Sequence, residues 1–178
     1  GFERFVYHSC LNRHCPKCQT RERDDWVQAR TSELLPVPYF HHVFTLPHEL
    51  HPLVLASERN RRALLKLLFD ATAATLLEFG RGELGGTVGF TLVLHTWDQQ
   101  LRTHLHVHCL MAAGALATDG SRWIAGGTKF LFPVHGLSKM FRAKFLDGLT
   151  KLLAAGERDL PPQLGWLGAA DARVRRLR

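Results

Sequence analysis

Three imidazoles alternate with apolar residues in His104-Leu105-His106-Val107-His108-Cys109-Leu110. Successive side chains of a strand point to opposite faces, so His104, His106 and His108 would share one face while Leu105, Val107 and Cys109 enter a core. A rigid row of imidazoles can hold a divalent metal that works on a phosphodiester, or can take up a nucleoside phosphate on a ring nitrogen. A polar strand face that merely carries histidines is the plain alternative.

A second cluster lies at the start of the chain. Cys10, Cys15 and Cys18 fall within nine residues, and Cys15-Pro16-Lys17-Cys18 is a CxxC with proline inside, a tight knuckle that aims two thiolates at one tetrahedral zinc. Cys10 is the candidate third ligand and His8 or His14 the fourth, unless a second CxxC precedes Gly1. A redox CxxC competes, but such motifs open a helix after a strand, and Arg13, His14 and Pro16 suit a knuckle better. Clustered cysteines of this kind favour metal binding in a reducing compartment over a disulfide framework. Cys109, alternating into the core, reads as an inert buried thiol.

The elements that must position these groups follow from pattern. Gln19 to Leu34 reads as a helix with Trp26, Val27 and Arg30 on one face, ended by Pro36 and Pro38. A boundary near Leu35 then separates a small metal module, 1–35, from a main domain, 36–178. Tyr39 to Leu46 (YFHHVFTL) is aromatic and β-branched between prolines and predicts a strand. Residues 58 to 79 predict a helix closed by Gly80, Gly82, Gly85 and Gly86. Thr87 to Trp97 predicts a strand that pairs antiparallel with the histidine strand through the connector Asp98 to Arg102. Thr118-Asp119-Gly120 is a turn, Arg122 to Ala125 and Lys129 to Phe132 predict short strands, and Leu137, Met140, Phe141, Phe145, Leu149, Leu152 and Leu153 recur at helical spacing. The fold class expected is α+β, an antiparallel sheet with helices packed on it.

A formal charge of +7 suits a polyanionic partner, and it is not evenly spread. From Lys129 to Arg178 there are ten Lys and Arg against four Asp and Glu, which places six of the seven net charges in the last fifty residues. The basic side of the last helix, with Lys139, Arg142, Lys144 and Lys151, is the candidate phosphate track. No stretch approaches the roughly 20 apolar residues of a membrane span and nothing resembles a signal peptide, so a soluble protein is expected. A start without Met and a basic ending at Arg178 suggest a piece of something longer.

Taken together, HSCLNRHCPKCQ, FTLPHEL after the proline pair, and LHTWDQQLRTHLHVHCLMAAGALATDGSRWI resemble the rolling-circle insertion-sequence transposases. These are bacterial two-tyrosine enzymes of the HUH (His-hydrophobe-His) class with an N-terminal zinc-binding domain. The resemblance runs roughly from Phe2 to Leu160, with the motifs in the family's order. It implies an HUH endonuclease-like fold and a transposase that nicks one DNA strand, single-stranded or in a hairpin, and rejoins it through a phosphotyrosine intermediate. By position, His106 and His108 would ligate magnesium or manganese, with His95 the best third ligand and Gln99 and His48 behind it. Cys15 and Cys18, with Cys10 nearby, match the zinc segment. The family's nucleophilic tyrosines lie downstream of this chain, whose Tyr7 and Tyr39 are assigned no such role, so the parent is expected to be the enzyme and the fragment alone inactive. Leu105 stands where the family commonly has Pro, and Met111-Ala112-Ala113-Gly114 replaces a more Gly-rich turn.

Two other readings compete. HLHVHCL also fits a histidine-triad nucleotide hydrolase or transferase with His106 as nucleophile, but that explains neither the cysteine knuckle nor the basic helix. A non-catalytic, zinc-dependent DNA-binding remnant explains both while dispensing with the chemistry. A cupin-type site is set aside because the next acidic residue after His108 is Asp119, past a turn.

Overall fold

The computed structural model describes Cys10, Cys15, residues 17–155 and residues 161–162. Tyr7, His8, His14 and the terminal arginines lie outside the described residues. The chain divides into two compact units, Gly1–Pro36 and Val37–Arg178.

In the first unit, α1 spans Thr20–Ser32 and is charged throughout, with Arg21 to Asp25 and Arg30 to Glu33 at helical spacing. Pro36 and Pro38 forbid its continuation. None of its residues is buried. The expected apolar face is left in solvent, Trp26 being 50% and Val27 48% exposed.

The second unit follows the predicted order with one addition. β1 (Tyr39–Thr45) leads into a single 3-10 turn, His48–Leu50, and a short helix α2 (His51–Leu55) that sequence pattern did not reveal. The long helix α3 (Glu58–Phe79) starts where the Ser57 hydroxyl accepts from the Asn60 amide. Buried Asn60 gives its side-chain N–H to the Leu53 carbonyl, tying α3 to α2. After a π-helical turn, Gly80–Leu84, the chain reverses at Gly85, whose φ of +70° suits glycine. β2 (Gly86–Trp97), β3 (Thr103–Ala117), β4 (Trp123–Ala125) and α4 (Val134–Ala154) complete the unit.

The sheet order is β1-β3-β2, with β4 also on β3 and every pairing antiparallel. β2 runs along one edge of β3, while β1 covers His106 to Ala112 and β4 covers Gly114 to Leu116 on the other. The histidine strand is thus internal to the sheet, with its backbone paired on both sides. α3 and α4 pack against one sheet face and bury two apolar clusters there, one around Leu68, Leu105, Val107 and Phe145, the other around Phe79, Cys109, Met111 and Phe132.

The strand expected at Lys129 to Phe132 does not form; the segment is irregular. Its side chains explain this. Phe132 is 1% exposed and its ring lies 5.4 Å from that of Phe79, so the segment plugs the core instead of extending a ladder. Gly126 still donates to the Ala113 carbonyl, and Gly127 makes the bend, since a Cβ there would meet the Phe130 carbonyl oxygen at 2.2 Å.

Candidate metal centre

On β3 the alternation sorts side chains as the pleat requires. Leu105, Val107 and Cys109 are almost fully buried on the helix side, so the strand cannot slip by one residue without exposing them. That fixes His104, His106 and His108 on the opposite face. Cross-strand partners share a face, and the register sets His95 opposite His106 on β2, with Thr45 opposite His106 and Val43 opposite His108 on β1.

Ring nitrogens of His95, His106 and His108 all lie within 4.8 Å of one another. The His95 and His108 ring centres are 4.2 Å apart, and those of His106 and His108 are 4.9 Å apart. His106 Nδ1 is 3.0 Å from the His104 carbonyl oxygen, which can only accept, so Nδ1 carries the proton and Nε2 of the neutral ring is a lone pair. That Nε2 faces His108 Nε2 at 3.0 Å. Burial first, then the imidazoles of His95, His106 and His41, holds His108 below the usual histidine value of 6.5 and favours the neutral form that metal ligation needs.

This donor set fits a divalent ion. Metal bonds of about 2.1 Å meeting near a right angle put two nitrogens about 3 Å apart, the spacing of His106 and His108. Three neutral imidazoles leave further coordination positions for a substrate oxygen.

The remaining candidates fall elsewhere. His104 packs its ring edge-on to buried His51, 6.3 Å between centres, and is outside the three-histidine group. His48 is a highly exposed side chain beside Glu49, and Gln99 sits in the β2–β3 turn, which Asp98 organises by accepting from the Gln100 and Arg102 amides and the Arg102 guanidinium. One residue at the site escaped sequence reasoning: His41 on β1, whose Nε2 is 2.6 Å from His108 Nδ1. The His41-His42 doublet is the only signal, because one member of such a pair must face each side of the sheet.

In the first unit, the sulfurs of Cys10, Cys15 and Cys18 also lie within 4.8 Å of one another. Cys10 and Cys18 Sγ are 3.3 Å apart, and the Cys18 amide donates to Cys15 Sγ. The Gln19 amide bonds the Cys15 carbonyl, so the knuckle opens directly into α1. Backbone donors aimed at sulfur are what a knuckle of thiolates requires.

Of the basic residues on α4, Lys144 pairs with Glu78 of α3 at 2.7 Å and Lys151 with Asp147 at 2.7 Å. Arg142 lines a cavity of about 290 Å³ with Thr45, Leu50, Phe141 and Phe145. Among the described residues no helix is long and apolar enough to cross a membrane.

Two family descriptions match this chain, the first running past Pro36 to the end of β1. Residues 1–46 match the family described as "Transposase zinc-binding domain", and residues 89–169 match "Putative transposase". "Putative transposase y4qJ" of Sinorhizobium fredii is 42% identical over 159 residues, covering 88% of this chain and 39% of the relative. "Transposase for insertion sequence element IS801" of Pseudomonas savastanoi pv. phaseolicola is 34% identical over 117 residues, covering 66% of this chain and 27% of the relative. The chain therefore spans less than two fifths of the length of either. A solved structure described as a conjugative relaxase TrwC in complex with oriT DNA, metal-bound, overlaps 63% of this chain and 43% of that one, at 19% identity and a TM-score of 0.49.

Proposed function

Because the chain belongs to the insertion-sequence transposases with a zinc-binding N-terminal domain, we propose that it supplies the zinc module and the metal-holding half of a DNA strand-nicking and rejoining site. The carrying observation is the convergence of His95, His106 and His108 on one sheet face, with His106 Nδ1 already committed to the backbone.

In this reading residues 1–35 are the zinc module, with Cys10, Cys15 and Cys18 as ligands, and 36–178 the catalytic domain. His106, His108 and His95 hold magnesium or manganese, which when bound polarises the scissile phosphate. The chain's own contribution is orientation. His106 is fixed by the His104 carbonyl, and the buried back of β3 keeps the imidazole row from shifting under load. A tyrosine oxygen from the parent protein attacks phosphorus, the bond to the 3′ oxygen breaks, and a 5′ phosphotyrosine and a free 3′ hydroxyl result; rejoining reverses the step. Tyr39 does not serve, since it pairs with Ala112, four residues and roughly 13 Å along the strand from His108. The substrate is single-stranded or hairpin DNA in the bacterial cytoplasm and nucleoid. Lys139 and Arg142 contact its phosphates, with Lys144 and Lys151 contributing only once freed from Glu78 and Asp147.

The test is Mn²⁺ binding to the zinc-saturated chain, with fluorescence anisotropy of a labelled hairpin carrying a single-stranded flank. Wild type should bind Mn²⁺ and hold the DNA more tightly with it, and His106→Ala should lose both effects. A wild-type chain that binds no Mn²⁺, or that turns over a nucleoside phosphoramidate through His106, would overturn the reading in favour of a binding remnant or a histidine-triad enzyme respectively.

A further inference from the structure

The hydrogen bond between His41 and His108 has a geometry that defines what it can do. The two rings are parallel to within 5°, their centres are 4.9 Å apart, and the Nε2 to Nδ1 distance is 2.6 Å. A face-to-face stack cannot bring two ring nitrogens that close. The centre separation is instead the nitrogen contact plus the two centre-to-nitrogen radii, so the rings are coplanar and meet nitrogen to nitrogen, along one N–H···N axis. His108 therefore has both nitrogens engaged, Nδ1 with His41 and Nε2 with His106.

Proton positions then follow by elimination. His106 Nε2 is a lone pair because its Nδ1–H serves the His104 carbonyl. In the metal-free site, His108 satisfies that lone pair by donating from Nε2, which makes its Nδ1 an acceptor for Nε2–H of His41. For His108 Nε2 to act as a ligand, its proton must reside on Nδ1, and His41 Nε2 must accept it. Each neutral ring exchanges one nitrogen's proton for the other's through solvent. No proton is gained or lost overall.

We propose that His41 is a positioning residue that sets the ring form of His108, donating to it in the empty site and accepting from it in the loaded one. A carboxylate at this place could only accept, and would hold His108 permanently in the metal-ready form. An imidazole allows both, so the empty site stays fully hydrogen-bonded instead of facing two lone pairs at 3.0 Å. The proposal rests on the metal-centre reading above.

Three variants of the zinc-saturated chain separate the possibilities, read by ¹⁵N NMR of the metal-free His108 ring and by Mn²⁺ affinity from the free-ion EPR signal. Wild type should show His108 protonated on Nε2. His41→Glu should move that proton to Nδ1, and His41→Gln, whose amide can turn to donate or accept, should keep the wild-type form. Mn²⁺ affinity should fall about 10- to 100-fold in His41→Ala, and return to near the wild-type value in His41→Gln. Overturning results are an unchanged His108 ring form in His41→Glu, wild-type affinity in His41→Ala, or an His41→Gln variant as weak as His41→Ala, which would make the role one of packing or direct ligation. Absence of Mn²⁺ binding by wild type would defeat the metal centre itself, while the ring-form comparison, made without metal, would still decide the role of His41.

Discussion

The cysteine knuckle and the histidine strand both gather three metal-ligating side chains within 4.8 Å, yet they are supported in opposite ways. Two of the histidines stand on the internal strand β3 and the third on its neighbour β2, and the other face of β3 is packed under two helices, with Val107 and Cys109 completely buried. The knuckle opens into a helix with no buried residue at all. A centre of the first kind is mounted on a core, and a centre of the second kind is the main support that the described residues offer α1. The largest expected effect follows from that contrast. Structural zinc in small modules contributes about 10–16 kcal/mol of apparent binding free energy, which is folding free energy where no other core exists. Chelation, or Cys18→Ser, should therefore abolish amide protection in Thr20–Ser32 while the sheet unit keeps its protection and its unfolding midpoint. Persistent protection of α1 in the chelated protein would break the comparison.

A smaller effect of opposite location sharpens it. Phe132 is 1% exposed, is wedged against Phe79, and is supplied by an irregular segment rather than a ladder. Phe132→Ala should cost about 3–5 kcal/mol of sheet-unit stability in denaturant titration. Zinc affinity, measured by competition with a chromogenic chelator, should stay at its wild-type value. A parallel fall in zinc affinity would show that the two regions are not separately held.

What could be read beforehand divides along the same physical lines. Periodicity gave α3 from Glu58 to Phe79 and the facing of β3, because repeated apolar spacing over many residues has few other solutions. The pairing of β2 with β3 was legible from a short connector between two strand patterns. The pairing of β1 with β3 joins residues more than sixty positions apart, and nothing local in YFHHVFTL says which strand it meets, so His41 could not be placed beside His108. Residues 129–132 misled for a related reason. Phe130, Leu131 and Phe132 have strand composition, but Leu131 and Phe132 fill a space between α3 and the sheet that only the assembled fold defines, and Phe130 is left exposed. The solvent-facing Trp26 and Val27 are the remaining surprise, since the described residues contain nothing that covers them.

The smallest expected effect compares one residue type across both regions. Cys10 is exposed, Cys15 and Cys18 are half-buried, and Cys109 is completely buried. Burial pushes the Cys109 thiol up to about 12. Alkylation proceeds through the thiolate, and at pH 8 a group with that value is ionised at a level of about one part in 10⁴ before restricted access is counted. After zinc is chelated at pH 8, iodoacetamide followed by mass spectrometry should mark Cys10, Cys15 and Cys18 and leave Cys109 unmodified. Raising the pH toward 9.5 increases the thiolate fraction about 30-fold but leaves it under one in a hundred, so Cys109 should still lag far behind the knuckle cysteines. Since Cys109 lies in the same apolar cluster as Phe132, its labelling reports opening of the sheet unit, and Phe132→Ala should accelerate it in proportion to the stability lost. Labelling of Cys109 that kept pace with the knuckle cysteines in the wild type would mean that the back of β3 opens as readily as the zinc module. The histidine row would then have no rigid mount, and the distinction between a centre held by a core and a centre that is itself the main support would fail.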